Sequence, residues 1–166
     1  MEALKKLDHE VILTENDGPD AFLRDVARAT GVGLVPVGTP IYLAAAILAC
    51  ASLFVSGRYH PAIMAMLGGT PCVFLDTTAH KMDSLQELIG VERRATFPAM
   101  PGPVDIDAIV ECANDHLRAG TQLRQRIRSA AGLRAAEVAT LPHRLEDVLV
   151  RPQSAARGAL ESGRGQ

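Results

Sequence analysis

The residues with the clearest chemical potential lie in one short loop, residues 56–61 (SGRYHP). Arg58 carries a planar guanidinium that stays charged at any working pH and suits a phosphate or a carboxylate. His60 can donate or accept a proton near neutral pH, and Gly57 permits a sharp turn or the close approach of a ligand. The loop therefore combines an anion-binding group with a proton-transfer group.

The same loop is expected to lead into a helix. Pro61 is favoured in a first helical turn, where the backbone N–H groups that remain free can face an anion. Tyr59 belongs to the same predicted substrate-binding loop. The residues alone leave an alternative open, in which Arg58 pairs with a nearby carboxylate and His60 only caps the helix.

Strands and helices are predicted to alternate around this loop. The predicted strands are residues 9–14, 33–37, 52–56, 70–76 and 95–97. Three of the predicted helices between them begin near Asp20, Pro40 and Pro61, and the fourth has Met82 on its apolar face and ends at Gly90. Thr39 is expected to cap the second of these helices. Alternation at this spacing is typical of βαβ units, so we predict an α/β fold with a Rossmann-like, doubly wound parallel sheet.

In such sheets, ligands bind outside the carboxyl ends of the strands. Lys81, which follows the fourth strand, is a second candidate for binding anionic groups, with an ordinary exposed lysine as the alternative. Glu15 and Asp17, after the first strand, could accept hydrogen bonds from a sugar. Residues of this kind more often end a strand and cap the next helix.

The C-terminal third is predicted to be helical. Asp105 is expected to cap a helix, and the helical pattern from residue 120 to 150 is interrupted at Gly132 and Pro142. We therefore divide the chain into a Rossmann-like domain (residues 1–119), a helical extension (120–150) and a disordered tail (151–166). The arginines between Arg118 and Arg144 are expected to form a solvated face or to lie against acidic neighbours.

Composition excludes several classes of protein. The chain has 166 residues, 48% of them hydrophobic and 22% charged, and a net charge of −2. These values exclude a disordered chain and give no general reason to expect nucleic-acid binding.

The three cysteines lack disulfide or metal-ligand spacing, and no convincing metal cluster is present, so a reducing compartment is favoured. The uncharged run of residues 29–57 contains two prolines, and its clean part is shorter than the ~20 residues of a spanning helix, so a soluble protein is predicted.

The stretch of residues 54–73 (FVSGRYHPAIMAMLGGTPCV) resembles the signature of the polysaccharide pyruvyl transferase family. In that family an Arg-x-His follows a strand, and an Ile-x-Ala helix leads to a Gly-x-Pro before the next strand. The corresponding residues here are Arg58 and His60, Ile63 and Ala65, and Gly69 and Pro71. The resemblance extends over about residues 8 to 117. Lys81 matches a family lysine, whereas Ser84 replaces a family glycine.

The resemblance implies one half of a glycosyltransferase-B-like fold and the transfer of a pyruvyl group from phosphoenolpyruvate to a sugar hydroxyl. The acceptor would be a cell-surface or exopolysaccharide glycan, or its lipid-linked precursor. In family terms, Arg58 would hold the phosphate or carboxylate of the donor, and His60 would lie beside the reacting enol as a proton donor or electrostatic stabiliser. Apart from this donor substrate, no cofactor or metal is expected.

The resemblance also implies a cytoplasmic enzyme, with contact at the inner membrane surface as a further expectation. The chain resembles only the C-terminal half of such an enzyme, so we expect the other half on a separate polypeptide, lost by truncation, or absent from a decayed copy. The first alternative function is the C-terminal domain of a nucleotide-sugar glycosyltransferase or epimerase, although Glu87 lies too far into its helix to bind a ribose. The second is a non-catalytic partner subunit with an exposed apolar patch at the carboxyl side of the sheet.

Overall fold

The structure is a computed structural model that describes residue 7 and residues 9–76, 79–90 and 96–150. The predicted tail therefore lies outside the described residues, as do Thr77 and Thr78. In chain order the elements are β1 (Ile12–Thr14), a 3-10 turn (Gly18–Phe22), α1 (Leu23–Thr30), β2 (Gly33–Val35), α2 (Ile41–Cys50), β3 (Phe54–Ser56), α3 (Tyr59–Leu67), β4 (Cys72–Asp76), α4 (Ala79–Ile89), β5 (Phe97–Pro98), α5 (Pro103–Ala139) and α6 (Leu141–Val150). All five predicted strands are present, each shorter than expected at one or both ends.

All strand pairing in the described part of the chain is parallel, as predicted, but it forms two sheets. β1 pairs with β2, with Ile12 opposite Gly33. β4 lies between β3 and β5 in a second sheet, with Phe54 opposite Cys72 and Leu75 opposite Phe97. The strands are two to five residues long, so each ladder has few hydrogen bonds. The described strands therefore make a mixed α/β structure with short parallel sheets in place of the single sheet predicted.

β4 is buried on both faces. Cys72 and Phe74 pack into one apolar cluster with helices α3 and α4, whereas Val73 between them packs into a second cluster with Phe97 and Ile109. Successive side chains of a strand point to opposite faces, so the covered part of a strand in this position must be apolar on both faces. The apolar run Cys72–Leu75 follows from this cover, and the strand ends at the half-buried Asp76.

Helix α5 reaches both of these clusters because it breaks at Gly120. Its first part contributes Ile109 and Ala113 to the cluster around Val73, and its second part contributes Leu123 and Ile127 to the cluster around Phe74. Gly120 has φ 51° and ψ −132°, a conformation that a glycine adopts without the steric cost of a side chain. One helix with a single break therefore covers both faces of the second sheet.

The predicted interruption at Gly132 is wrong, because α5 continues through this residue to Ala139. Glycine lowers helix stability by only about 1 kcal/mol and does not by itself end a helix. Pro142 does mark a boundary, because it is the second residue of α6. A backbone N–H at that position would have no partner within the helix, so proline costs no hydrogen bond there. The chain divides into two compact units, Met1–Gly132 and Leu133–Gln166. In the second unit, Arg134 pairs with Glu137 at 2.9 Å on an exposed helix surface.

Two of the predicted helix caps differ in the structure. Helix α2 begins at Ile41 and has no side-chain cap, so Thr39 does not serve as one. Helix α5 begins at Pro103, two residues before the predicted cap. Asp105 Oδ2 instead accepts the backbone N–H of Gly102 at 2.8 Å from inside the first turn, as the acidic residue of a capping box does.

The C-terminal end of α2 is closed by two side chains from distant parts of the chain. Thr70 Oγ1 lies 2.9 Å from the carbonyl oxygen of Leu48 and 3.1 Å from those of Ala49 and Ala51. Arg124 donates from Nη1 to the carbonyl of Ala51 at 2.7 Å and from Nη2 to that of Ala49. Carbonyls at a helix C-terminus lack helical partners, and a cation there suits the helix dipole. Arg124 thus departs from the predicted solvated face.

Far fewer apolar side chains are buried around the first sheet, which consists of β1 and β2. Between residues 9 and 40, the buried side chains are two acidic ones, Glu15 and Asp20, and no apolar side chain of this range is buried. Large apolar side chains are exposed after β2 and in the first turn of α2: Val37, Ile41, Tyr42 and Leu43. None of the described helices combines the length and the apolar character needed to cross a membrane.

The contact between α2 and α3 generates a stability prediction. A Cβ atom on Gly68 would lie within 2.5 Å of the backbone Cα and O atoms of Ala49, so Gly68→Ala must push the two helices apart. We expect it to lower the free energy of unfolding by about 1–3 kcal/mol in urea denaturation. Gly132→Ala is the matched control, because a Cβ there meets nothing within 4 Å, and it should raise stability by up to about 1 kcal/mol. Equal stability of Gly68→Ala and the wild type would contradict this packing.

Candidate active site

The candidate site is built on the loop between β3 and α3. Arg58 directly precedes α3, with φ −92° and ψ 118°, and its backbone N–H donates to Ser56 Oγ at 3.0 Å. The helix begins at Tyr59, two residues earlier than the start predicted at Pro61. Because proline has no N–H, Pro61 offers no donor in the first turn. The backbone N–H groups of Tyr59 and His60 do point from this turn, and no described residue accepts them.

Two carboxylates from the loop after β1 bind the guanidinium of Arg58. Its Nη1 donates to Asp17 Oδ2 at 3.1 Å, and its Nη2 donates to Asp17 Oδ1 at 3.0 Å. Nη2 also donates to Asp20 Oδ1. The alternative left open by the sequence, an Arg58 paired with a nearby carboxylate, is therefore the arrangement that the structure has. The role of Arg58 toward a substrate stays a prediction.

Asp20 is the better fixed of the two carboxylates. Its side chain is 11% exposed, against 48% for Asp17, and its Oδ2 accepts the backbone N–H of Asn16 at 3.1 Å. Burial by itself would raise the pKa of Asp20, but the hydrogen bonds from Arg58 and Asn16 and the charge of Arg58 outweigh it, so the pKa lies below its ordinary value. The hydrogen bond to Asp20 likewise raises the pKa of Arg58.

The charge balance of this cluster is negative. One guanidinium faces two carboxylates, which leaves a net charge of −1 when all three are ionised. Arginine has five N–H donors, and three of them make the contacts to Asp17 and Asp20. In the part of the chain that the structure describes, Nε–H and one Nη1–H of Arg58 are left for a ligand. A strong anion can therefore bind bidentately to Arg58 only if a carboxylate gives way.

Glu15 has a structural role in place of the sugar contact predicted as one option. Its side chain is 1% exposed, and it pairs with Arg24 through Oε1 at 2.8 Å and Oε2 at 3.1 Å. Oε2 also accepts the backbone N–H of Val37 at 3.3 Å. Glu15 thus connects the end of β1 to α1 and to the loop after β2, and its oxygens are occupied by these contacts.

The remaining predicted site residues are exposed or half-buried. His60 is exposed in the first turn of α3, and its ring meets that of Tyr59 edge-on with the ring centroids 5.5 Å apart. Gly57 is half-buried beside them. Lys81 is exposed in the first turn of α4. Gly57, Arg58, Tyr59 and His60 lie together at the start of α3, and the role of Lys81 toward a donor stays a prediction.

Asp20 and Asn16 are the site residues that the sequence analysis missed. The available signal was topological: in the predicted doubly wound parallel sheet, the loops that follow the strands lie at one edge, which places the acidic loop after the first strand near Arg58. Across the described ranges, no group of three His, Cys, Asp or Glu side chains is arranged to hold a metal ion.

The ion pair of Asp20 generates a pH prediction. A carboxyl group whose pKa is lowered on folding stabilises the fold fully above its unfolded pKa and loses that contribution as the pH falls through the folded value. Asp20→Asn should therefore lower the free energy of unfolding by about 1–3 kcal/mol at pH 7, and the difference from the wild type should shrink below the ordinary pKa of 3.8.

Urea denaturation between pH 2.5 and 7 measures this effect. The control is Asp25→Asn, which removes an exposed pair with Arg28 and should change stability by less than about 0.5 kcal/mol. A loss in Asp20→Asn that is the same at every pH would contradict the assignment of the effect to the ionised carboxylate.

A family model described as polysaccharide pyruvyl transferase matches residues 4–78. The match includes Arg58 with both of its carboxylate partners and ends before Lys81, so the similarity to the family around Lys81 rests on the shorter motif alone. No significant match was found among curated proteins or among solved structures. Over residues 4–78 the chain is therefore similar to the polysaccharide pyruvyl transferase family, and this confirms the resemblance that the motif around Arg58 indicated.

Proposed function

We propose that this chain is the donor-binding part of a polysaccharide pyruvyl transferase. It would bind phosphoenolpyruvate and support transfer of the pyruvyl group to sugar hydroxyls of a cell-surface or exopolysaccharide glycan. The observation that carries the proposal is the position of Arg58: it lies within the matched residues 4–78, directly after a parallel strand and before the first turn of α3. This is where parallel α/β structures bind anionic ligands.

The residues around Arg58 suit the chemistry of that transfer. In the reaction a proton adds to the methylene carbon of phosphoenolpyruvate, two sugar hydroxyl oxygens bond to the neighbouring carbon, and phosphate leaves. Of the two protons that the hydroxyls lose, one balances the proton added to the methylene carbon and the other leaves with phosphate. Arg58 binds the carboxylate or phosphate of the donor, together with the backbone N–H groups of Tyr59 and His60. The exposed imidazole of His60, in the same helical turn, delivers the proton or stabilises the charge that develops.

Further parts of the proposal rest on the family resemblance. The fold would be one half of a glycosyltransferase-B-like enzyme, with the acceptor site completed by a second domain or subunit. Lys81 would assist with the anionic groups of the donor. The reaction would take place in the cytoplasm, on a glycan or lipid-linked sugar, and would need no cofactor besides the donor itself.

A second candidate function is a non-catalytic partner subunit. It is favoured by the exposed apolar residues Val37, Ile41, Tyr42 and Leu43, which follow the carboxyl end of β2. Exposed apolar groups at that position are what a protein-binding version of the fold needs. This candidate requires no ligand at Arg58, so ligand binding separates it from the first.

Calorimetric titration tests the proposal. Phosphoenolpyruvate should bind to the wild type, and Arg58→Ala should lower its affinity about 10- to 100-fold, as expected for the loss of a hydrogen bond to a charged group. Arg58→Lys should recover only part of the affinity, because lysine keeps the charge and loses the bidentate geometry. Arg28→Ala is the control, since Arg28 is an exposed arginine paired with Asp25 on α1, and it should bind like the wild type.

The other outcomes decide between the alternatives. Binding of UDP in place of phosphoenolpyruvate would transfer the chain to the nucleotide-sugar glycosyltransferases or epimerases. If neither ligand binds although circular dichroism shows a folded chain, the donor-binding proposal fails and the partner subunit is favoured.

A further inference from the structure

Asp17 contacts Arg58 in the geometry that a carboxylate ligand adopts on an arginine. Two parallel N–H···O hydrogen bonds, at 3.1 and 3.0 Å, join the guanidinium to both carboxylate oxygens of Asp17. An arginine binds the carboxylate or phosphate group of a small molecule in the same bidentate way. Asp17 therefore occupies the positions on Arg58 that the anionic group of a donor would take.

We propose that Asp17 is a built-in competitor for the anion-binding site on Arg58. Its carboxylate occupies the guanidinium in the absence of ligand and is displaced when an anion with two acceptor oxygens binds. This inference rests on the proposed function, because it assigns Arg58 to anion binding. It makes the ion pair between Asp17 and Arg58 an autoinhibitory contact, and it leaves Asp20 as a positioning residue that holds the guanidinium in both states.

The two carboxylates differ in the ways that this division of roles requires. Asp17 is 48% exposed, and among the described residues both oxygens of its carboxylate are bonded to Arg58 alone. Asp20 is mostly buried, and its second oxygen is held by the backbone N–H and the side chain of Asn16. Exposed ion pairs contribute little to stability, so Asp17 can swing into solvent at small cost. Releasing Asp20 would break the contacts to Asn16 as well.

The net charge of the cluster of Arg58, Asp17 and Asp20 determines which anions would displace Asp17. With Asp17 in place the group has a net charge of −1, which repels anions in general. A ligand that replaces both hydrogen bonds of Asp17 compensates for its displacement, whereas a monatomic anion such as chloride does not. Asp17 thus favours carboxylates and phosphates over the simple anions of the cell.

Calorimetry with phosphoenolpyruvate gives the first test. Asp17→Asn removes the charge and weakens the competing contact, so its affinity should be about three- to tenfold higher than that of the wild type at low ionic strength. Asp25→Asn, which removes the exposed partner of Arg28, should bind like the wild type. Affinity in Asp17→Asn that is equal to or lower than in the wild type would overturn the inference.

Chemical modification gives a second test that does not depend on phosphoenolpyruvate as the ligand. Phenylglyoxal reacts with free guanidinium groups, and mass spectrometry reports the rate at each arginine. Asp17→Asn should react severalfold faster at Arg58, and millimolar inorganic phosphate, but not chloride, should slow that reaction. In Asp25→Asn the rate should rise at Arg28 and stay unchanged at Arg58.

The two tests fail in different ways. An unchanged rate at Arg58 in Asp17→Asn, or protection by chloride equal to that by phosphate, overturns the competitor role even if phosphoenolpyruvate binds. Conversely, faster modification with phosphate protection supports the competitor role, while a lack of phosphoenolpyruvate binding would reject only the proposed donor.

Discussion

Two buried carboxylates hold the first βαβ unit in place. Between residues 9 and 40 no apolar side chain is buried, and the two side chains that are buried, Glu15 and Asp20, each meet an arginine. A buried charge without a partner is costly, so each carboxylate requires its arginine in position. Glu15 thereby fixes α1 and the loop after β2, and Asp20 fixes Arg58. The geometry of the candidate site follows from this requirement.

The second sheet is stabilised in the opposite way, by apolar cover on both faces. β4 lies at its centre, and the two parts of α5 reach its opposite sides because the helix breaks at Gly120. Polar contacts serve there mainly to satisfy the backbone, as when Thr70 and Arg124 bind the last carbonyls of α2. This well-packed part holds β3, and β3 carries Arg58 at its end.

Arg58 joins the strand-end loops of the two sheets through polar contacts. Its backbone belongs to the loop after β3, and its guanidinium is bound by carboxylates of the loop after β1. A group suited to bind an anion is therefore also a structural link. Because Arg58 has both roles, its guanidinium is neither free nor deeply buried, and 39% of the side chain is exposed. An anion that binds Arg58 bidentately must displace one of these carboxylates and so changes this structural link.

The order of the elements, the parallel pairing and the loop that contains Arg58 and His60 were predictable from the amino-acid sequence. These features are local: apolar runs, glycine and proline positions and the motif around Arg58 are all read from neighbouring residues. A boundary at residue 120, where α5 breaks, was predicted, but so was an interruption at Gly132 that the helix does not have, because a glycine within a helix and a glycine that ends one look alike without their surroundings. The tertiary structure supplies the reason for the break at Gly120, since the two parts of α5 cover opposite faces of β4. It also decided the partners of Arg58, because Asp17 and Asp20 lie 41 and 38 residues away in sequence, and the pairing of distant charges depends on which strand ends the fold brings together.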